Sequence, residues 1–599
     1  ERGLSPAELQ AIRDEIRVQL QEELQERLDT AKEEMRDEVR AAVTSAGAAQ
    51  EWDVEWEEIK PKLDLFEVNG YFRTRMDLFY RFDLGTGPDP SGHGIFPIDP
   101  QNATRHTVAG ANLRLRLDPT LNVSEEVRIR GQVDVFDNLL FGSTPAAGFS
   151  NGAGNQVHPW VIGAPGQAAP RFGWNSISDS VTAKRVWGEV RTPIGELRFG
   201  RMADHFGLGM FTNDGNCVDC DDGNTVDRFL FAVKIANHVI APSLDFLAEG
   251  PTSADPSNPF PNPQPFDRTQ ADDARQWVIS ILRRDTEDEI RKMRAAGRDT
   301  FVNYGLRLAY RTQHWDAPSF EVGGPDNGNA GGGSPEVGAL EPIAFVPRDA
   351  WQLIPDVWFR LLYKKYRLEF EVATVHGKVG NRFLPFPEPP GTPPQTQEIT
   401  FSQFGAVLQN EVKLVDDKLS LGLELGFASG DGAPGFGNLP GRAQSPEDPF
   451  TVRGDWEGPQ YNCANAACSD KTVDNFRFNS DYRVDLILFR EILGTVTDAF
   501  YVKPNVRYLI TEGLDVNLAV VWSMAAAKES TPTHNRPLGV ELDAGINYIS
   551  DDGFITSIAY GVLFPLSGLD QLRDFADPGA GLISAQSAQT VRGFFGIVY

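Results

Sequence analysis

The sequence predicts an all-β transmembrane barrel of about 18 antiparallel strands, with about 16 as the alternative count, preceded by an N-terminal α-helical coiled-coil extension. Three observations carry this. Residues 65–84, LFEVNGYFRTRMDLFYRFDL, place Phe66, Val68, Phe72, Met76 and Leu78 on one face and Glu67, Arg73, Arg75, Asp77 and Arg81 on the other. The alternation runs about twice the usual length of a soluble strand. The connectors between such stretches alternate between short and long, as in a series of hairpins with all tight turns at one end. Finally, the 599-residue chain has no run of 18 apolar residues, so no helix crosses a bilayer, and Gly and Pro, 57 and 41 in the whole chain, punctuate almost every segment after residue 60.

The first tenth of the chain is different. In SPAELQAIRDEIRVQLQEELQERLDTAKEEMRDEVRAAV (5–43), Ser5 and Glu8 make a capping box and Pro6 takes the first helical position. Gly47 supplies a stop. The apolar stripe Leu9, Ile12, Ile16, Leu20, Leu24, Leu28, Ala31, Met35, Val39, Ala42 advances 33 residues in nine steps, near 3.67 per turn. That spacing implies a straight or slightly right-handed coil. One narrow stripe cannot be buried by the helix alone, so residues 1–48 read as a periplasmic helix that is either a solvated spacer or a homo-oligomeric coiled coil. Residues 49–64, with Trp52, Trp56 and Ile59 at helical spacing, read as an amphipathic connector, and residues 65–599 as the barrel.

Within the barrel the alternation recurs. Leu113, Leu115 and Leu117 oppose Arg114, Arg116 and Asp118; Val127, Ile129, Val133 and Val135 oppose Arg128, Arg130, Gln132 and Asp134. Eighteen strands are expected near 65–84, 104–118, 123–139, 181–192, 196–203, 226–235, 239–249, 275–284, 300–312, 351–364, 367–377, 399–414, 419–429, 499–511, 515–526, 537–549, 553–564 and 588–599. An even count leaves both ends on the tight-turn side. One turn stands out: DTEDEIRKMRAAGRD (285–299) predicts a short charged helix. Closure of the sheet follows because an open edge in lipid leaves backbone groups unpaired.

Charge is uneven. The chain carries −28 overall, and residues 1–60 hold 8 Lys+Arg against 17 Asp+Glu, a net −9. This acidity argues against nucleic acid as a partner. Cys217, Cys220, Cys463 and Cys468 form two local pairs, read as disulfides of an oxidising compartment, with three connectivities open and a zinc site as the sharper alternative. The chain begins without a signal peptide and reads as a mature form.

Candidate interior residues are Arg73, Arg75, Asp77, Arg81, Arg114, Arg116, Arg128, Arg130 and Asp134. They read either as a pore-lining arginine ladder facing carboxylates, able to bind carboxylate or phosphate groups, or as a wall of mutual salt bridges. Residues 475–492 would break the strand parity if they spanned. They therefore read as part of the longest loop, either a constriction with Tyr482, Arg483, Asp485, Arg490 and Glu491 as its polar groups or an external strand. NDGNCVDCDDGNTVD (213–227) offers Asp214, Asp219, Asp221 and Asp222 as a weak Ca²⁺ candidate without EF-hand spacing; otherwise it is a solvated loop, and no other metal or cofactor is expected. GFSNG (148–152) matches a nucleophile-elbow pattern without the strand-to-helix context it needs, and no catalytic set is seen, so no enzyme is expected.

The segment RFGRMADHFGLGM (198–210) resembles the strand-to-loop segment of bacterial outer-membrane β-barrel porins. With NTVDRFLF (224–231) and DYRVDLILFREILGTVTDAFYVKP (481–504) it is similar to an uncharacterised barrel family of myxobacteria and relatives. VRGFFGIVY (591–599) resembles the C-terminal signal read by the barrel-assembly machinery. These resemblances imply a bacterial outer-membrane location with the N-terminal helix in the periplasm, and outer-membrane lipid and lipopolysaccharide as surroundings. The expected function is a porin for passive diffusion of small hydrophilic solutes, homotrimeric through its helix. The rival is a structural anchor whose helix tethers the membrane to peptidoglycan or another periplasmic partner.

Overall fold

The computed structural model describes residues 65–86, 105–145, 162, 166–172, 176–250, 270–316, 346–380, 398–432, 472–573 and 581–599. The helix expected over 1–48, the connector 49–64, the GFSNG stretch, Cys463 and Cys468 lie outside the described residues.

Eighteen long strands form one sheet: β1 Phe66–Tyr80, β2 Thr107–Asn122, β3 Val127–Leu140, β4 Val181–Thr192, β5 Gly195–Ala203, β6 Thr225–Ile235, β7 His238–Ala248, β8 Ala274–Arg283, β9 Thr300–Asp316, β10 Val346–Tyr363, β11 Tyr366–Val379, β12 Ile399–Leu414, β13 Leu419–Ala428, β14 Ala499–Thr511, β15 Leu514–Ala525, β16 Pro537–Ile549, β17 Phe554–Pro565 and β18 Ala588–Val598. Each is antiparallel to its chain neighbours. The sheet closes where β1 meets β18, with Tyr71 opposite Val598 and Tyr80 opposite Gln589. A two-residue strand, Thr472–Val473, adds to β12 from within a loop and runs parallel to it. Even the shortest long strand, the nine-residue β5, nears the length a tilted bilayer crossing needs, about 9–11 residues.

The outer surface explains the alternation. Phe72, Met76, Leu78, Ile279, Leu306, Leu308, Leu421, Leu423, Leu518, Ile546 and Ile558 are all exposed large apolar residues on outward positions. Exposed aromatics flank this zone at both ends. Tyr304, Tyr363, Tyr508, Tyr548 and Phe554 lie at the turn end, and Trp277, Trp315, Phe404, Trp522 and Phe564 at the loop end. An apolar band between aromatic belts is what a bilayer selects.

Tight turns join alternate strands. Ala236 and Asn237, both at positive φ (49° and 63°), make the two-residue connection of β6 to β7, a turn whose twist suits a hairpin. The exceptional turn is a helix as expected. α1, Glu287–Ala295, is capped by Thr286 with a reciprocal Glu289 bond. It buries Ile290, and its Arg294 and the following Arg298 stack over the buried Phe301 ring. One boundary differs from expectation: β1 ends at Tyr80, and Arg81 and Leu84 take positive φ (58° and 53°) as the chain turns off the wall.

The larger difference lies inside. The sequence reads as a pore-lining or salt-bridged charged wall with one loop as a candidate constriction; the loop-end half holds a dry core built from two loops. Phe206, Leu208, Met210, Phe476, Phe478, Ile487, Leu488, Phe489, Ile492 and Val496, all from the β5–β6 and β13–β14 loops, are buried together against inward wall residues such as Trp358 and Phe401. The wall is hollowed to receive them. A Cβ on Gly405 would collide with the Phe476 ring, and one on Gly305 would lie 3.0 Å from the Phe206 ring. Gly405→Ala is accordingly expected to unseat Phe476 and destabilise the barrel by about 1–3 kcal/mol, measured as a lowered midpoint of unfolding in denaturant.

Candidate functional site: two loops inside the barrel

A backbone that leaves the sheet but stays inside the barrel must find partners for its N–H and C=O groups. The β5–β6 loop, residues 204–224, finds many of them on charged wall side chains. On one side, wall arginines donate to its carbonyls. Arg73 Nη1 donates to Val218 O (2.6 Å) and Cys220 O (3.0 Å). Arg114 donates to Cys220 O (2.8 Å), Arg116 to Gly215 O (3.0 Å), and Arg185 to Asp214 O (2.5 Å) and Asn224 O (3.1 Å). On the far side, the β11 carboxylate of Glu371 accepts from the amides of Leu208 (2.5 Å), Met210 (3.3 Å) and Phe211 (3.2 Å).

The β13–β14 loop is held in the same manner. The Glu541 carboxylate of β16 accepts from three successive amides, Leu486 (3.0 Å), Ile487 (2.8 Å) and Leu488 (3.0 Å). Glu424 of β13 accepts from the hydroxyls of Tyr482 (3.1 Å) and Tyr501 (2.6 Å). Asp485 caps its own turn by accepting from Phe489 and Arg490 amides. A one-turn π-helix, Leu488–Ile492, follows.

The two loops then bond to each other. Asp481 accepts from the amides of Asp221 (2.9 Å) and Asp222 (3.0 Å), and Ser480 donates to Asp222 (2.6 Å). Arg490 pairs with Asp219 (2.7 Å) and Arg483 with Asp221 (3.2 Å). Arg75 of the wall reaches both Asp219 (3.1 Å) and Asp221 (3.0 Å), while Arg592 of β18 joins Asp77 (2.8 Å) to Glu491 (2.7 Å). Cys217 and Cys220 form a disulfide at the tip of the first loop.

The predicted interior residues therefore divide into three groups. Arg73, Arg75, Arg114 and Arg116 are buried under the first loop, and Arg116 also forks onto Asp134 (2.7 and 2.8 Å). Arg128 and Arg130 sit near the turn end, where Arg130 pairs with Glu189 (3.1 Å). Arg81 lies beyond β1, bonded to the Tyr80 hydroxyl (3.0 Å), so it is a rim residue and not part of the wall. Tyr482, Arg483, Asp485, Arg490 and Glu491 all lie within the inward segment. Asp219 and Asp221 are engaged by arginines, Asp222 by Ser480, and Asp214 by Asn216, so the four do not converge on one point. Among the described residues no group of three or more His, Cys, Asp or Glu is placed to hold a metal ion.

Sequence reasoning missed Glu371, Glu541 and Arg185 as anchors. A signal was present for the first loop: HFGLGM alternates apolar residues with glycine in a connector, where a solvated loop would be polar.

No protein-family model matches this chain, and no curated protein is significantly similar to it. Among solved structures it is similar to Acinetobacter baumannii OccAB3 (TM-score 0.41, 9% identity, 89% of this chain and 99% of that one). It is also similar to a BenF-like porin from Pseudomonas fluorescens (TM-score 0.40, 9% identity, 90% and 99%) and to the outer membrane protein opdK from Pseudomonas aeruginosa (TM-score 0.38, 8% identity, 89% and 99%). The second of these is a porin and the third an outer membrane protein. At such scores the likeness carries no weight for solute or mechanism, and the barrel rests on its own strand pairing.

Burial alone would raise the carboxyls of Asp219 and Asp221. Arg490 and Arg75 outweigh it at Asp219, and Arg75 and Arg73 at Asp221, so both are held below the ordinary value of 3.8. Folded-state values depressed in this way contribute stability that is complete above about pH 4 and is lost as pH falls below it. Asp221→Asn is expected to destabilise the barrel by about 3 kcal/mol at pH 7, because it strands buried arginines, and by less at pH 3. Denaturant midpoints at the two pH values measure this.

Proposed function

We propose that this protein is a bacterial outer-membrane channel for the passive diffusion of small hydrophilic solutes, narrowed by its two inward loops. The observation that carries the reading is a closed 18-strand cylinder, apolar outside between aromatic belts and charged on its inner face. Barrels of this strand number leave a lumen that must be restricted by loops if it is to be selective. At the turn end the interior is lined by partly exposed charged groups, among them Arg130, Arg191, Arg198, Arg367, Glu411 and Arg507. That half reads as a wet vestibule below the loop-filled half, with the long-connector end of the barrel on the outer side of the membrane and the turn end facing the periplasm.

The dense packing of the two loops favours a restricted, solute-selective pore over a wide one. The lipid-facing belt makes outer-membrane lipid its surroundings. Residues 1–48 are proposed as the oligomerising segment, giving a trimer, and the last strand as the segment read by the assembly machinery.

Purified protein reconstituted in a planar bilayer is expected to give discrete ohmic steps of small size. Absence of any conductance would overturn the channel reading. Removing residues 1–60 is expected to leave the unit conductance unchanged while dissociating the oligomer on native gels; loss of envelope attachment without dissociation would instead favour the tether.

A further inference from the structure

The loops are bound to two walls by one device used twice. Glu371 on β11 and Glu541 on β16 each present a carboxylate to a run of loop amides, Leu208–Phe211 in one case and Leu486–Leu488 in the other. Convergent backbone N–H groups form an anion-binding concavity, and here the anion is supplied by the barrel wall. The first seat depends on local backbone. Gly207 and Gly209 take φ of +63° and +76°, and a Cβ on Gly207 would stand 2.5 Å from Glu371 Oε2. Only glycine lets the chain approach that carboxylate and turn its amides toward it.

The loops also move or stay as one body. Asp481 takes two amides of the first loop, Asn479 donates to Asn224 (2.7 Å), and the Arg490–Asp219 and Arg483–Asp221 pairs tie the same surfaces. Releasing one seat therefore loosens the other loop as well.

We infer that Glu371 and Glu541 are the aperture-determining residues of the channel. They latch a two-loop plug to two parts of the wall five strands apart, and this rests on the channel reading above. Their role is positional: neither needs to touch a passing solute. At the second seat Asp543 bonds to Glu541 and also to the Leu486 amide, so the Glu541 seat is read at Ile487. Glu369 is occupied by Trp358 (2.8 Å) and Arg367 (2.7 Å), and Asp485 by its own turn. No second acceptor for Leu208, Ile487 or Leu488 amides exists among the described residues.

The test reads the latch and the channel separately. Leu208 and Ile487 are buried, so Leu208→Cys and Ile487→Cys are expected to react slowly with a maleimide in the otherwise native barrel. Adding Glu371→Ala is expected to speed labelling at position 208 by about tenfold or more, and Glu541→Ala that at position 487, because labelling follows the population of the opened loop. Gly207→Ala is expected to mimic Glu371→Ala, and the pair together to add nothing further, since both break one seat. Single-channel conductance of each variant is expected to rise by about twofold or more over wild type, as the constriction widens. Glu371→Gln, which keeps one acceptor oxygen, serves if the alanine variant does not fold, with labelling expected between the two.

Unchanged labelling in folded Glu371→Ala or Gln and Glu541→Ala barrels overturns the latch. Faster labelling with conductance unchanged from a conducting wild type overturns the claim that the latch sets the aperture. Faster labelling with no conductance in any form overturns the channel reading and leaves the latch in place.

Discussion

One constraint organises the interior of this barrel: polypeptide that is not in the sheet must satisfy its backbone without water once it is buried. In the wall each N–H and C=O belongs to a neighbouring strand. The segments 204–224 and 472–498 have only short ladders of their own, so charged side chains of the wall take over. Arginines of β1, β2 and β4 serve carbonyls, and carboxylates of β11 and β16 serve amides. The sign of each wall follows from which half of the peptide group it must partner. Hydrogen bonds to charged groups are worth more than neutral ones, about 1.5–3 kcal/mol net, which suits them to fixing a loop against solvent.

Packing supplies the second half of the account. Charged anchors alone would leave the loops hydrated and mobile. The apolar residues they carry are seated in a core shared with the wall, and each large side chain removed from water adds about 1.5–3 kcal/mol. Glycines on inward positions make the sockets. Gly305 admits Phe206 and Gly405 admits Phe476. The barrel and its contents are thus one folding unit.

How much of this was written in the sequence differs by level. The strand order was, because a period of two sustained over long stretches has only one physical meaning when the polar face is charged and the connectors alternate in length. β1 is legible from Phe72, Met76 and Leu78 on one face alone. The inward course of residues 475–492 was legible only as a parity problem: a run such as VDLILF has strand-like composition, and the even count forbade it a place in the wall. What it touches was not legible, since the partners of Leu486–Leu488 lie 53–55 residues away on β16. The arginines show the limit most clearly. Arg73 and Arg114 alternate with apolar residues whether they line a pore or sit beneath a loop, and local pattern cannot separate the two. Only the long-range bonds to Val218 and Cys220 decide it.

This bears on how charge should be related to selectivity. The formal charge of −28 describes the chain and not the passage. Within the loop junction each of Arg73, Arg75, Arg483, Arg490 and Arg592 is paired with at least one of Asp77, Asp219, Asp221, Asp481 and Glu491. Such a network has little field left to offer a solute. The charges with freedom to act are those at the turn end. There Arg191 and Arg198 lean on Glu196, Arg367 on Glu369 and Glu411, and Arg507 on Asp515, each with part of its side chain open to the lumen. In these pairs the buried carboxylate of Glu196, Glu369 or Asp515 holds a part-exposed guanidinium. On the channel reading proposed above, a charge filter falls to the turn end and a size filter to the two loops.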